Sequence, residues 1–130
     1  MAERARRVLV VDDDDIIRGF LAEALADEGY EVQQAANGRD ALALLRHWRP
    51  DLILLDLMMP GMDGWAFRAE QRQQGLALDV PLIALSAVRG LDLRTRALGA
   101  AQVFAKPFDL DAVLDAIYQM LGPSAPPAEP

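Results

Sequence analysis

No cysteine occurs among the 130 residues. That excludes a disulfide framework and a thiolate zinc site, and it suits a reducing compartment. Lysine is nearly missing as well, with Lys106 alone against twelve arginines. No apolar run approaches the ~20 residues that a bilayer span needs. The basic start, Met1 to Arg7, leads into only four apolar residues, Val8 to Val11. A secretory signal needs a longer apolar stretch, so a cytoplasmic location is expected. Positive charge is short overall. A net charge of -7 leaves little basic surface for a phosphate backbone, and direct nucleic-acid binding is not expected.

What is present is apolar and regularly spaced. At 52% hydrophobic residues the chain is no disordered segment, and its length suits one domain. Val8 to Val11 reads as a short buried strand. Ile17, Leu21, Ala24 and Leu25 recur at helical spacing from Ile16 to Glu28, with Gly29 as a stop. Tyr30 to Gln34 alternates as a weaker strand, and Asn37-Gly38 marks a turn before a helix over Arg39 to Trp48. Leu52 to Leu55 is apolar on both faces, as a central parallel strand must be. A loop from Leu57 to Gly64 leads to a helix over about Trp65 to Gln74. Further strands are expected at Leu82 to Leu85 and Gln102 to Ala105, and further helices at 90–98 and Leu110 to Leu121.

Strands alternating with helices at this pitch require a parallel sheet covered on both faces. Right-handed crossovers with one reversal give an α/β, flavodoxin-like (βα)5 three-layer sandwich with strand order 2-1-3-4-5. The domain should cover residues 1–121. The Pro/Ala-rich segment 122–130 reads as a tail or linker.

The chemistry lies at the carboxyl ends of the strands. The first ends in Asp12-Asp13-Asp14-Asp15, the third in Asp56, the fourth in Ser86, and the fifth in Lys106. This winding brings all four ends to one edge of the sheet. Asp14 and Asp15 are expected to form a solvated turn in which Asp15 caps the following helix. Asp12 and Asp13 beside Asp56 suit a hard cation, with magnesium the natural choice. Lys106, stiffened by Pro107, offers a compact ammonium for a carboxylate or phosphoryl oxygen. Ser86 either terminates its strand or donates to a phosphoryl oxygen. His47, beside Trp48 and without a second ligand in view, reads as a surface residue, and Met58, Met59 and Met62 as loop packing.

These residues fall into a known pattern. Val-Val-Asp12-Asp13, Leu-Leu-Asp56 followed by Met-Met-Pro60-Gly-Met-Asp-Gly64, Leu85-Ser86-Ala87 and Lys106-Pro107-Phe108 resemble, in order and spacing, the receiver domains of bacterial two-component response regulators. The resemblance spans residues 7 to 121. It implies that Asp56 is the phosphoacceptor. Asp12, Asp13, Asp56 and the backbone carbonyl of Met58 would hold magnesium, and Ser86 and Lys106 would contact the phosphoryl oxygens. It also implies a cis bond before Pro107. The implied partner is a sensor histidine kinase or histidine phosphotransfer protein. The implied role is a phosphorelay switch that catalyses only its own phosphorylation and dephosphorylation, and so is not an enzyme acting on other substrates.

Two departures stand out. The position three before Lys106, usually aromatic in the family, is Val103, while Phe104 faces the other side of the sheet by alternation. The segment Gly99-Ala-Ala-Gln102 lacks the acidic pair that many DNA-binding regulators use for dimer salt bridges, which leaves a monomer or a weak phosphorylation-dependent dimer. Met58 and Val88, two residues beyond Asp56 and Ser86, are apolar and unable to orient a water, so a long-lived phosphorylated form is expected.

Elementary chemistry agrees with the resemblance. Phosphoryl transfer asks a protein mainly for positioning and charge neutralisation, which a bound cation and Lys106 would supply. The new dianion would then draw the Ser86 hydroxyl inward and move the loop that follows. Two rivals remain. One is a receiver-like adaptor that works without phosphorylation. The other is a haloacid-dehalogenase-type phosphatase with Asp12 as nucleophile and Asp14 as acid/base, which leaves Asp56 unexplained and has no room for a cap. The residues name neither the cognate kinase nor the output.

Overall fold

The computed structural model describes residues 5–87 and 98–122. Val88, the expected helix at 90–98 apart from Leu98, and positions 123–130 lie outside the described residues. Along the chain the elements are β1 (Arg7–Val11), α1 (Asp15–Asp27), β2 (Glu31–Ala35), α2 (Gly38–Leu45), β3 (Leu52–Asp56), α3 (Gly64–Gln74), β4 (Leu82–Ser86), β5 (Gln102–Ala105) and α4 (Leu110–Leu121). All strand pairings are parallel, in the order β2-β1-β3-β4-β5. This is the expected α/β, flavodoxin-like arrangement.

Strand alternation decides which side chain faces which layer. Leu9 and Val11 of β1, Ile53 and Leu55 of β3, and Leu82 and Ala84 of β4 pack with Ala41, Leu42 and Leu45 of α2 and Phe67 of α3. Their neighbours Val8, Val10, Leu52, Leu54, Ile83 and Leu85 point the other way, onto Leu21 and Leu25 of α1 and Val113 and Ile117 of α4. β3 and β4 are buried throughout, whereas the edge strands β2 and β5 stay partly exposed. The continuous apolar run at Leu52 to Leu55 thus marks a strand with helices on both faces. No described helix is long and apolar enough to cross a membrane.

Most boundaries fall within a residue of expectation, and three differences are informative. Asp14, not Asp15, caps α1: its backbone is extended and its carboxylate accepts the Ile16 and Ile17 amides at 2.9 and 3.1 Å. The second strand begins at Glu31, one residue late, because Gly29 takes a positive φ of 94° and the Tyr30 amide closes the helix end on the Leu25 carbonyl. α2 stops at Leu45, so His47 and Trp48 fall beyond it. Pro50 disfavours helix at the residue before it. Trp48 instead packs against the core cluster, with the Arg7 guanidinium 5.3 Å from its ring centre.

The loop after β3 is closed by backbone contacts. The Leu57 amide donates to the Leu85 carbonyl, and the Gly64 amide donates to the Leu57 carbonyl, each at 2.9 Å. A Cβ on Gly64 would stand 2.9 Å from the Leu57 Cα, so only glycine allows this approach.

Candidate functional site

Strand register assembles the site. Val11 pairs with Leu55, so Asp12 leaves β1 beside Asp56 at the end of β3. Asp56 pairs with Leu85, placing Ser86 one step further along β4, and Ser86 pairs with Ala105, which delivers Lys106 next. The Lys106 amide donates to the Ser86 carbonyl at 2.8 Å, and the Lys106–Pro107 peptide bond is cis.

One oxygen each from Asp12, Asp13 and Asp56 lies within 4.8 Å of the other two. Asp12 and Asp56 are buried, whereas Asp13 opens to solvent. Lys106 Nζ reaches Asp12 Oδ2 at 3.1 Å and Asp56 Oδ2 at 3.3 Å. The other oxygens of these two carboxylates are also engaged. Asp12 Oδ1 accepts the Asp14 amide at 2.9 Å, and Asp56 Oδ1 accepts the Met58 amide at 3.2 Å. Among the described residues, no hydrogen bond or ion pair reaches the carboxylate of Asp13.

The electrostatics are unbalanced. Burial and then the charge of Asp12 push the Asp56 carboxyl from its ordinary 3.8 up to about 6, against the pull of Lys106 and the Met58 amide. Burial alone would lower Lys106, but the combined attraction of Asp56 and Asp12 outweighs it and holds the ammonium above its ordinary value. One ammonium among three carboxylates leaves negative charge uncompensated. A hard divalent cation with a preference for oxygen donors fits that surplus and that donor set. This acidic triad is of the kind that holds magnesium in receiver domains.

The remaining expected residues can be placed as well. Ser86 is buried at the end of β4. Met58 lies half-exposed beside Asp56, while Met59 is buried in the core and Met62 packs against it. Val103 faces the α2/α3 layer and Phe104 the α1/α4 layer, so the aromatic ring sits on the opposite side of β5. Asp14 is committed to capping α1, which removes the acid/base that a haloacid-dehalogenase reading would assign to it.

Arg18 is the residue that the strand-end reading overlooked. Its guanidinium donates to the Asp12 main-chain carbonyl at 2.8 Å, to Asp15 Oδ1 at 2.6 Å and to Gln34 Oε1 at 3.3 Å. The i,i+3 spacing from Asp15 announced one of these contacts. The bond to the Asp12 carbonyl had no signal in the sequence.

Comparison with known proteins adds three findings. A family model described as the response regulator receiver domain matches residues 8–118. Among curated proteins, the chain is 41% identical over 117 residues to sporulation initiation phosphotransferase F of Bacillus subtilis, covering 88% of this chain and 93% of that protein. It is 38% identical over 122 residues to response regulator MprA of Mycolicibacterium vanbaalenii, covering 92% of this chain but 52% of that protein. The chain thus spans nearly the whole of one relative and about half the length of another. Among solved structures, chemotaxis protein CheY4 of Vibrio cholerae superposes with a TM-score of 0.83 at 34% identity, covering 90% of this chain and 99% of that one.

Proposed function

Because this chain belongs to the response-regulator receiver domain family, we propose that it is a cytoplasmic phosphorelay switch that takes a phosphoryl group from a phosphohistidine donor onto Asp56. The observation that carries this reading is the position of Asp56. It sits at the end of the central strand, buried, within 3.3 Å of Lys106 and in the same cluster as Asp12 and Asp13. Magnesium would be held by Asp13 and Asp56, with Asp12 and the Met58 carbonyl completing the protein's share. When bound it would offset charge on the transferring group.

The chain's own residues do the rest. Asp56 supplies the attacking oxygen. Lys106 balances charge on the acceptor and then on the phosphoryl oxygens. Ser86, buried at the adjoining strand end, offers its hydroxyl to the same group and couples occupancy to the segment after β4. With Val103 in place of a ring, the response at β5 would be carried by other side chains.

A histidine kinase or histidine phosphotransfer protein is the donor that family membership implies. Ile16 and Phe20 on α1 and Met58 after Asp56 are large apolar side chains exposed close in sequence to the acidic ends of β1 and β3, which supports docking of an apolar helical surface. That the relative matched over nearly its full length is by name a phosphotransferase supports a relay role.

Labelling with acetyl phosphate tests the assignment. The protein should be modified only with magnesium present, and Asp56→Asn should abolish the modification. Asp14→Asn should leave it intact, because asparagine caps a helix as well as aspartate does. Mass-spectrometric mapping of the phosphoryl group to any aspartate but Asp56 would refute the assignment.

A further inference from the structure

Asp13 is the exposed carboxylate of the triad, and no described side chain holds its oxygens. The point from which it is presented is therefore set by the backbone alone, and that backbone is fixed on both sides. The Asp14 amide, which follows Asp13, donates to Asp12 Oδ1 at 2.9 Å. The Asp12 carbonyl, which precedes it, accepts from Arg18 at 2.8 Å. A peptide unit is planar, so holding the Asp12 oxygen also fixes the Asp13 nitrogen and Cα. The guanidinium itself is held by Asp15 on α1 and Gln34 on β2, and its side chain is only 16% exposed.

We propose that Arg18 is a positioning residue for the cation site: by gripping the Asp12 carbonyl it fixes the turn from which Asp13 presents its carboxylate. This rests on reading Asp12, Asp13 and Asp56 as a magnesium site. Arg18 touches none of the reacting atoms. Its positive charge near the triad opposes a cation, but its partner Asp15 at 2.6 Å offsets that charge locally. The grip and the charge therefore act on magnesium affinity with opposite signs, and the grip is the larger effect.

The test titrates the whole chain with magnesium chloride alone, by calorimetry, for the parent, Arg18→Met and Arg18→Lys. Arg18→Met should weaken binding on the order of tenfold, as loss of a group supporting a metal ligand does. Arg18→Lys keeps the charge but loses the planar fork that spans several acceptors, so it should also bind more weakly than the parent. It keeps the question answerable if the methionine variant folds poorly. The initial rate of acetyl-phosphate labelling should fall at low magnesium and recover at saturating magnesium, a defect in apparent affinity and not in turnover. Unchanged or tighter magnesium binding by Arg18→Met would overturn the proposal, as would lysine matching the parent. Parent protein that binds no magnesium would instead refute the metal-site reading on which the proposal stands.

Discussion

Removing the charge at Asp56 should stabilise the metal-free protein. The carboxyl is raised from 3.8 to about 6 because it is buried beside charged Asp12 and only partly compensated by Lys106 and the Met58 amide. At neutral pH it is ionised in an environment that favours its protonated form. At 1.36 kcal/mol per pKa unit, that difference amounts to about 3 kcal/mol. Asp56→Asn mimics the neutral carboxyl in shape and charge, so it should gain up to that amount. For a domain of this size the corresponding rise in Tm is on the order of 10 °C. The sign fixes the pH window. Because the folded-state value lies above the unfolded one, the folded parent binds more protons between them. The contribution of Asp56 to parent stability therefore falls as pH rises from about 4 to about 6 and levels off above. The advantage of Asp56→Asn should be full at pH 7.5 and vanish below pH ~4. The assay is thermal or urea unfolding in chelator across that range. Magnesium at ten times its Kd should then return about 1.4 kcal/mol to the parent and markedly less to the variant. An Asp56→Asn protein no more stable than the parent at pH 7.5 without magnesium would show that Lys106 fully compensates the buried charge, and the argument would fail.

Two further expectations concern the segment that joins β3 to α3. Gly64→Ala places a Cβ 2.9 Å from the Leu57 backbone, so it should cost roughly 1–3 kcal/mol, read as a lower urea midpoint. Met58 is half-exposed beside Asp56 and cannot orient a water, so the phosphoprotein should decay slowly, and Met58→Asn should speed decay several-fold with magnesium binding retained. Equal decay in the two proteins would show that Met58 serves packing alone.

Much of the fold was legible because the strands are short and differ in hydropathy. Leu52 to Leu55 has no polar face, so it could only be central, whereas the Glu31–Ala35 strand carries polar residues and lies at an edge. Asp12, Asp13, Asp56, Ser86 and Lys106 were legible as a set because each ends a strand or lies within two residues of its end, and a parallel sheet carries all such ends to one side. Helix ends were less legible. Asp14 and Asp15 are chemically identical, and only the extended backbone at Asp14 makes it the cap. The end of α2 at Leu45 was not legible either, since Leu45 and Trp48 share one apolar face and Trp48 finds its partner in Arg7, remote in the chain.

The sequence by itself determined the order of elements, the apolar faces and which polar groups meet at the sheet edge, because local periodicity and strand-end position are one-dimensional properties. Only the tertiary structure decided how those groups divide their work. Asp12 is bound on every side while Asp13 stays open, Asp56 is raised by burial that no local pattern reports, and Arg18 reaches back to the Asp12 carbonyl. Each of these depends on distances between segments that are remote or differently oriented in the chain. Electrostatics and hydrogen bonding respond to those distances, not to spacing along the sequence.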